Sequence, residues 1–358
     1  MSIHDRTTRF CERFGLRVPI LLAPMAGVSA PALSIAIANA GGLGACGALL
    51  MQPAEIVEWA AAVRGASNGA FQLNLWVPDP PPTRDAEHES KLRAFLAQWG
   101  PEVPAGAGDS VPPDFQTQCD ALLQAAPPIV SSVMGLFPPD FVSKLNSRGI
   151  AWFAVVSTLA EAREAEAAGA DVIVAQGMEA GGHRAAFEAE NAERNLVGLF
   201  SLVPAIVDAV SVPVVATGGI ADGRGVAAAL ALGARAAQIG TGFLRCPEAQ
   251  LHPAWADAIG RTAPEQTMLS RVFSGRAGRS IATDYVRAAT GANAPAPAPY
   301  PVQRGLTAAM RSAAAKSGDI ERMQPWAGQS AALARSQPAG ELVQRFWHDA
   351  QAILPQMK

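Results

Sequence analysis

One rhythm constrains this chain more than any other feature: a short apolar run, then a helix-forming stretch, repeated along most of its length. The runs are PILLAPM (19–25), GLGACG (42–47), FQLNLW (71–76), PIVSSVM (128–134), AWFAVVS (151–157), DVIVAQ (171–176), VPVVAT (212–217) and AAQIGT (236–241). Helical patterns follow in APALSIAIANA, over roughly 54–64, from about Pro139 to Ser147, in LAEAREAEAAG with its glycine stop, near 198–210, and in ADGRGVAAALALG. The runs are near-continuously apolar rather than alternating, as expected of parallel strands covered on both faces. Repeated β-α units dictate parallel pairing, and eight of them match a (β/α)8 TIM barrel. A doubly wound open sheet is the alternative. The barrel is favoured because glycines and polar residues gather at the C-terminal ends of many runs, where barrels build their sites.

Two segments exceed the bare barrel. Residues 77–127 hold VPDPPPT, a charged helix over about 86–99, PEVPAGAGDSVPP and a further helix, and read as an insertion after the third strand. Residues 242–358 read as a mostly helical C-terminal extension that packs over the barrel mouth, interrupted by ANAPAPAPYP (292–301), which is expected to be extended and polyproline-like. The barrel itself then comprises residues 1–76 and 128–241.

Bulk properties exclude several function classes. With 49% hydrophobic and 16% charged residues the chain is globular in composition, and a net charge of −3 with no Lys/Arg block argues against nucleic acid as a partner. The N-terminal MSIHDRTTRFCERFG is charged and has no apolar core of a signal peptide, and the apolar runs are broken by Gly and Pro below spanning length. No membrane role is expected, and a cytoplasmic location is. Four cysteines (Cys11, Cys46, Cys119, Cys246) form no C-x-x-C pair and no zinc spacing, so reduced thiols and no metal site are expected.

ATGGIADGRGVAAALALGARAAQIGTGF (216–243) is the most informative stretch. Gly218 and Gly219 end the seventh run, and Gly240 and Thr241 end the eighth. Glycine lets backbone N–H groups approach a ligand closely, and barrels often hold phosphate on the turns after strands seven and eight. The bland alternative is two tight βα turns. The stretch is neither a Walker loop nor a first-turn G-x-G-x-x-G. At other strand ends stand the apolar shelf Ala23-Pro24-Met25 and two neutral amides, Asn74 and Gln176. That mixture suits an uncharged heteroaromatic ring, such as a flavin isoalloxazine, lying across the barrel mouth. Each amide alone would more often be a satisfied loop residue.

AQGMEAGGHRAAF (175–187) follows the sixth run and places His183 beside Gly181-Gly182, in a chain with only five histidines. It is either a structural turn with a hydrogen-bonded histidine or a reaction site. Glu179 and Arg184 read as a structural pair or as loop anchors. His4, His88, His252 and His348 have no comparable setting.

Taken in order, LLAPM, the third-strand Asn74, SSVMGL (131–136), VVST (155–158), QGMEAGGHR, TGGIADGR, QIGTGF, FSGRAGR (273–279) and PWAGQS (325–330) resemble the nitronate monooxygenase family, formerly 2-nitropropane dioxygenases. The resemblance covers nearly the whole chain and is closest to the larger bacterial and fungal class. One departure is Ala185, where GGHRG is expected. The resemblance implies an FMN-dependent barrel. FMN would meet Pro24 and Met25 through backbone, then Asn74, Gln176, Gly181 and the Gly218-Gly219 turn. Gln238, Ile239, Gly240 and Thr241 would hold the phosphate end, and Gln329 and Ser330 would close over the cofactor. His183 would be the catalytic residue, as a base toward a neutral nitroalkane or, with more weight, as a group that orients the anionic nitronate.

The activity so implied is oxidation of alkyl nitronates, propionate 3-nitronate first among them, by O2 to an aldehyde or ketone plus nitrite. It would run by one-electron transfer through a flavin semiquinone. Rival readings on the same scaffold are an FMN-dependent NAD(P)H enoyl-thioester reductase, an NADH:quinone reductase, and a non-enzymatic phosphate-ligand sensor. Both a monomer and a homodimer fit.

Overall fold

Six strands rise in succession: β1 (Ile20–Leu22), β2 (Gly44–Gly47), β3 (Phe71–Trp76), β4 (Ile129–Val133), β5 (Ala151–Val156) and β6 (Val172–Gln176). A two-residue strand outside the barrel, β7 (Gly182–His183), precedes the last two barrel strands, β8 (Val214–Thr217) and β9 (Ala236–Ile239). These are seen in a computed structural model that describes residues 2–28 and 30–354. The eight barrel strands are parallel neighbours in the order β1-β9-β8-β6-β5-β4-β3-β2. Leu22 N donates to Leu43 O at 2.8 Å and Leu43 N to Ile20 O at 3.1 Å, which joins β1 to β2 and closes the ring. The fold is the (β/α)8 TIM barrel.

Alternation explains why the runs look continuously apolar. Val172 and Val174 belong to the cluster inside the barrel with Leu21, Leu43, Phe153 and Val215. Ile173 and Ala175 belong to the cluster between the sheet and its helices, with Ile20, Leu22, Trp152 and Ala154. A parallel strand shows one face to each core, so both parities must be apolar. Two glutamines meet inside the ring: Gln72 Nε2 donates to Gln238 Oε1 at 3.0 Å and to Leu22 O at 3.2 Å, while Gln72 Oε1 is buried with no protein partner.

Outside the strand-helix rhythm, the two helices expected within residues 77–127 are present, and an N-terminal helix joins them. The N-terminal helix Ile3–Arg13 is held by a Ser2–Asp5 capping box. Phe14, just beyond it, packs edge-on against Phe153 inside the barrel at 5.0 Å. The helix Phe115–Ala125 packs on the helix Pro53–Ala66 and on β3, in the outer position of a third βα unit. The helix Ala86–Leu96 instead joins an apolar cluster with the C-terminal region, through Leu92, Leu96, Phe273, Tyr285, Val302 and Leu306. Beyond the barrel, β10 (Thr267–Ser270) and β11 (Gly278–Ile281) pair antiparallel, and β11 pairs with β7 to complete a small second sheet. These strands depart from the mostly helical extension expected from the sequence, because each is four residues long and is defined by its pairing partner.

All four cysteines are free and buried. Among the described residues no helix is long and apolar enough to cross a membrane, and no group of three or more His, Cys, Asp and Glu side chains is placed to hold a metal ion.

Candidate active site

The segment after β6 is built around two anchors. The Glu179 carboxylate accepts from Leu199 N at 2.9 and 3.1 Å, at the start of the helix Leu199–Val207, where the helix end favours negative charge. Arg184 is 1% exposed, and its Nη1 donates to Gly177 O at 2.8 Å and Gln176 O at 3.2 Å. The two residues therefore anchor different ends of the segment and do not pair. Desolvation pushes the Arg184 pKa down to about 10, which leaves it charged at neutral pH.

Gln176 ties the segment closed. Its Nε2 donates to His183 O at 3.0 Å, while its Oε1 accepts from Ala185 N at 2.9 Å and Arg184 Nη1 at 3.1 Å. Gly182 turns the backbone through φ = 74°, a conformation costly for any residue with a Cβ. His183 then enters β7 opposite Gly278 of β11.

The His183 ring meets two indoles. Its centroid is 4.9 Å from that of Trp76 and 4.9 Å from that of Trp326, both tilted contacts. Its Nε2 lies 2.7 Å from Ser274 Oγ. Desolvation, and after it the positive charges of Arg276 and Arg304, push the His183 pKa down to about 3. The ring is neutral throughout the physiological range.

Beside this segment lie the two glycine turns: a Cβ on Gly218 would meet Ala180 N at 3.1 Å, and one on Gly181 would meet Thr241 Oγ1 at 3.0 Å. Gly218 and Gly219 have φ of 106° and 70°. Among the described residues, the N–H groups of Gly219, Gly240 and Thr241 meet no protein acceptor. Such a set of open donors suits an anionic oxygen cluster. Thr241 Oγ1 accepts from Gly328 N at 3.0 Å, so its own proton is available to a ligand.

His183 and most of the residues expected at a site converge on one cavity at the strand C-termini. Pro24, Met25, Asn74, Gln176 and Gly181 line it, as do Gly218, Gly219, Gln238, Gly240, Thr241 and Ser330. Two residues do not reach it with their side chains. Ile239 packs in the outer core, and Gln329 is fixed by its N–H to Glu179 O at 2.9 Å. Asn74 is oriented by its Nδ2, which donates to Ser131 Oγ at 3.0 Å.

Several lining residues had not been singled out: Trp76, Trp255, Ser274, Tyr300, Arg304 and Trp326. Trp76 and Tyr300 stack at 4.9 Å, and Trp76 Nε1 and Tyr300 Oη are buried with no protein partner. Arg304 has no counter-ion or side-chain hydrogen bond among the described residues. Trp76, Ser274 and Trp326 lie within FQLNLW, FSGRAGR and PWAGQS. Tyr300 lies next to last in the proline-rich stretch, and Arg304 has no local signal.

A closed (β/α)8 barrel whose mouth brings open donors and an aromatic-walled histidine to one cavity defines a small-molecule enzyme. The model of the nitronate monooxygenase family matches residues 8–349. The chain belongs to that family and is an oxidoreductase. It is 38% identical to the nitronate monooxygenase of Paraburkholderia phytofirmans over 351 residues, covering 96% of this chain and 95% of that one. A crystallised nitroalkane oxidase from Streptomyces ansochromogenes matches with a TM-score of 0.86 and 36% identity over 96% of this chain and 98% of that one. FabK from Thermotoga maritima matches with a TM-score of 0.75 and 27% identity over 96% of each chain.

Proposed function

We propose that this protein binds FMN across the barrel mouth and oxidises alkyl nitronates with O2 to a carbonyl compound and nitrite. The observation that carries this reading is the convergence of the open N–H turns after β8 and β9 with His183 on a single cavity. FMN fits that lining. Gly219, Gly240 and Thr241 offer donors to a phosphate with no Cβ crowding from the glycines. Pro24, Met25, Gly181 and Gln238 offer a shelf of backbone and neutral groups to a flat ring. Bound there, FMN would supply the electron-accepting chemistry, which no side chain of this site can provide.

The chain's own residues then do three things. Trp76, Trp326 and Tyr300 wall the reacting space with apolar surface and limit water. His183, neutral and in contact with two indoles, faces the substrate without competing as a second cation. Arg304, uncompensated at the same cavity, attracts an anionic substrate and pairs with a carboxylate at its far end. The favoured substrate is therefore propionate 3-nitronate, whose carboxylate has no cationic partner legible in the sequence.

Oxygen uptake with propionate 3-nitronate, paired with an anaerobic NADH control, tests this. Rapid uptake with nitrite release, and no bleaching of the flavin by NADH within seconds, is the expected result. Bleaching by NAD(P)H together with no response to the nitronate would replace this reading with a reductase.

A further inference from the structure

His183 has two ring nitrogens, and the fold engages one. Nε2 lies 2.7 Å from Ser274 Oγ, while Nδ1 has no protein partner among the described residues. Which nitrogen carries the proton follows from the serine. Ser274 is 1% exposed, so its bonds must be met by protein. Its Oγ donates to Arg276 O at 3.2 Å and accepts from Arg276 N at 3.3 Å. A hydroxyl has one proton to give. Given to His183, it leaves the Arg276 carbonyl without a donor among the described residues, and puts the ring proton on Nδ1 with no protein acceptor. Given to Arg276, it leaves Oγ to accept from His183 Nε2–H, so the Arg276 carbonyl, Ser274 Oγ and the ring N–H are all satisfied and only the Nδ1 lone pair is left open.

We propose that Ser274 is a positioning residue that holds His183 in the Nε2–H tautomer and presents Nδ1, unprotonated, as the proton acceptor of the site. This rests on the reading of His183 as the reacting histidine. An unprotonated Nδ1 cannot hold a nitronate by donating to its oxygens. It can take the α-proton of a neutral nitroalkane: the C–H bond breaks, the proton moves to Nδ1, and the electron pair stays on the substrate as the nitronate. The imidazolium keeps its Nε2–H on Ser274 and places the new Nδ1–H beside the nitronate. The attraction between the two new charges offsets surroundings that otherwise disfavour a charged ring. The substrate range then includes the neutral acid form, and Ser274 controls that part of it.

Two measurements test this. Nitrogen-15 NMR of the full chain with labelled histidines, His183 assigned by its loss in His183→Gln, reads the tautomer directly. A protonated-type Nε2 and an unprotonated-type Nδ1 at pH 7 are expected, with mixing of the two forms in Ser274→Ala. The reverse pattern in the native chain overturns the proposal. In kinetics, Ser274→Ala should lower kcat/KM for nitroethane relative to ethylnitronate by about tenfold or more, with Ser274→Thr restoring the ratio. Equal losses on both substrates overturn it. A native chain that turns over neither substrate removes the nitronate reading instead, and the NMR pattern then decides the tautomer alone.

Discussion

The backbone of Gly181 passes so close to that of Gly328 that a Cβ on Gly181 would lie 2.5 Å from Gly328 N. This contact joins the loop that carries His183 to the C-terminal strand of chain that carries Trp326. The neighbouring bond from Gly328 N to Thr241 Oγ1 continues it to the turn after β9. Three segments distant in sequence meet there over the cavity, and no side chain larger than hydrogen fits between them.

Gly181→Ala should therefore separate these segments. The expected effect is a stability loss of about 1–3 kcal/mol from overpacking, with weaker flavin retention. Gly182→Ala is the contrast. A Cβ there meets nothing within 4 Å, and only its φ of 74° is strained, at about 1 kcal/mol. Urea unfolding and the ratio of flavin to protein after gel filtration distinguish the two. Full flavin retention in Gly181→Ala would speak against a role for this contact in holding the cofactor.

Stability should carry a histidine signature. The His183 pKa falls from 6.5 in the unfolded chain to about 3 in the folded one. Below 6.5 the unfolded chain binds a proton that the folded chain does not. Native stability is thus lost as pH falls from about 6.5 toward 3, by at most about 1.4 kcal/mol per pH unit from this group. His183→Gln lacks the contribution, so its stability relative to the native chain should rise across that window. Urea midpoints of both at pH 7, 6 and 5 measure it, and parallel curves would refute it.

Arg304→Met should raise the KM for propionate 3-nitronate about tenfold or more, since a charge-assisted pair is lost. Ethylnitronate, which has no carboxylate, should change far less. Arg304 also disfavours the protonated form of His183, so the variant should shift the histidine's titration upward. Steady-state kinetics with the two nitronates at several pH values check both outcomes together.

Asp79 reaches into the extension to meet Arg276. Its carboxylate accepts from Arg276 Nε at 2.7 Å and from Nη2, and the Arg276 side chain is 1% exposed. Asp79→Asn leaves that guanidinium buried without its counter-charge, at a cost of about 3 kcal/mol. Arg276 also lies 6.0 Å from the Trp76 ring that walls His183. Thermal unfolding should fall together with turnover. An unchanged midpoint would show that Ala186 O and the other partners suffice.

Much of this site was legible because barrel strands end where chemistry is placed. Asn74, Gln176, Gly218 and Gly240 could be assigned to the mouth by counting to the end of each apolar run. The aromatic wall was not legible in that way. Trp76 ends β3, Tyr300 lies next to last in a proline-rich stretch and Trp326 follows Pro325, with no shared period to relate them. The strand β7 has two residues and exists only because β11 pairs with it, so no local propensity announces it.

The sequence by itself determined the barrel, since a strand buried on both faces needs apolar residues at every position, and that need is written locally. It also determined which residues stand at the strand ends. The tertiary structure alone decided what surrounds His183: two indoles, the hydroxyl of Ser274 and the uncompensated charge of Arg304. Those neighbours come from distant segments joined by packing and backbone bonds. The properties they set, neutrality and tautomer, depend on desolvation and hydrogen-bond partners that arise only once the chain has folded.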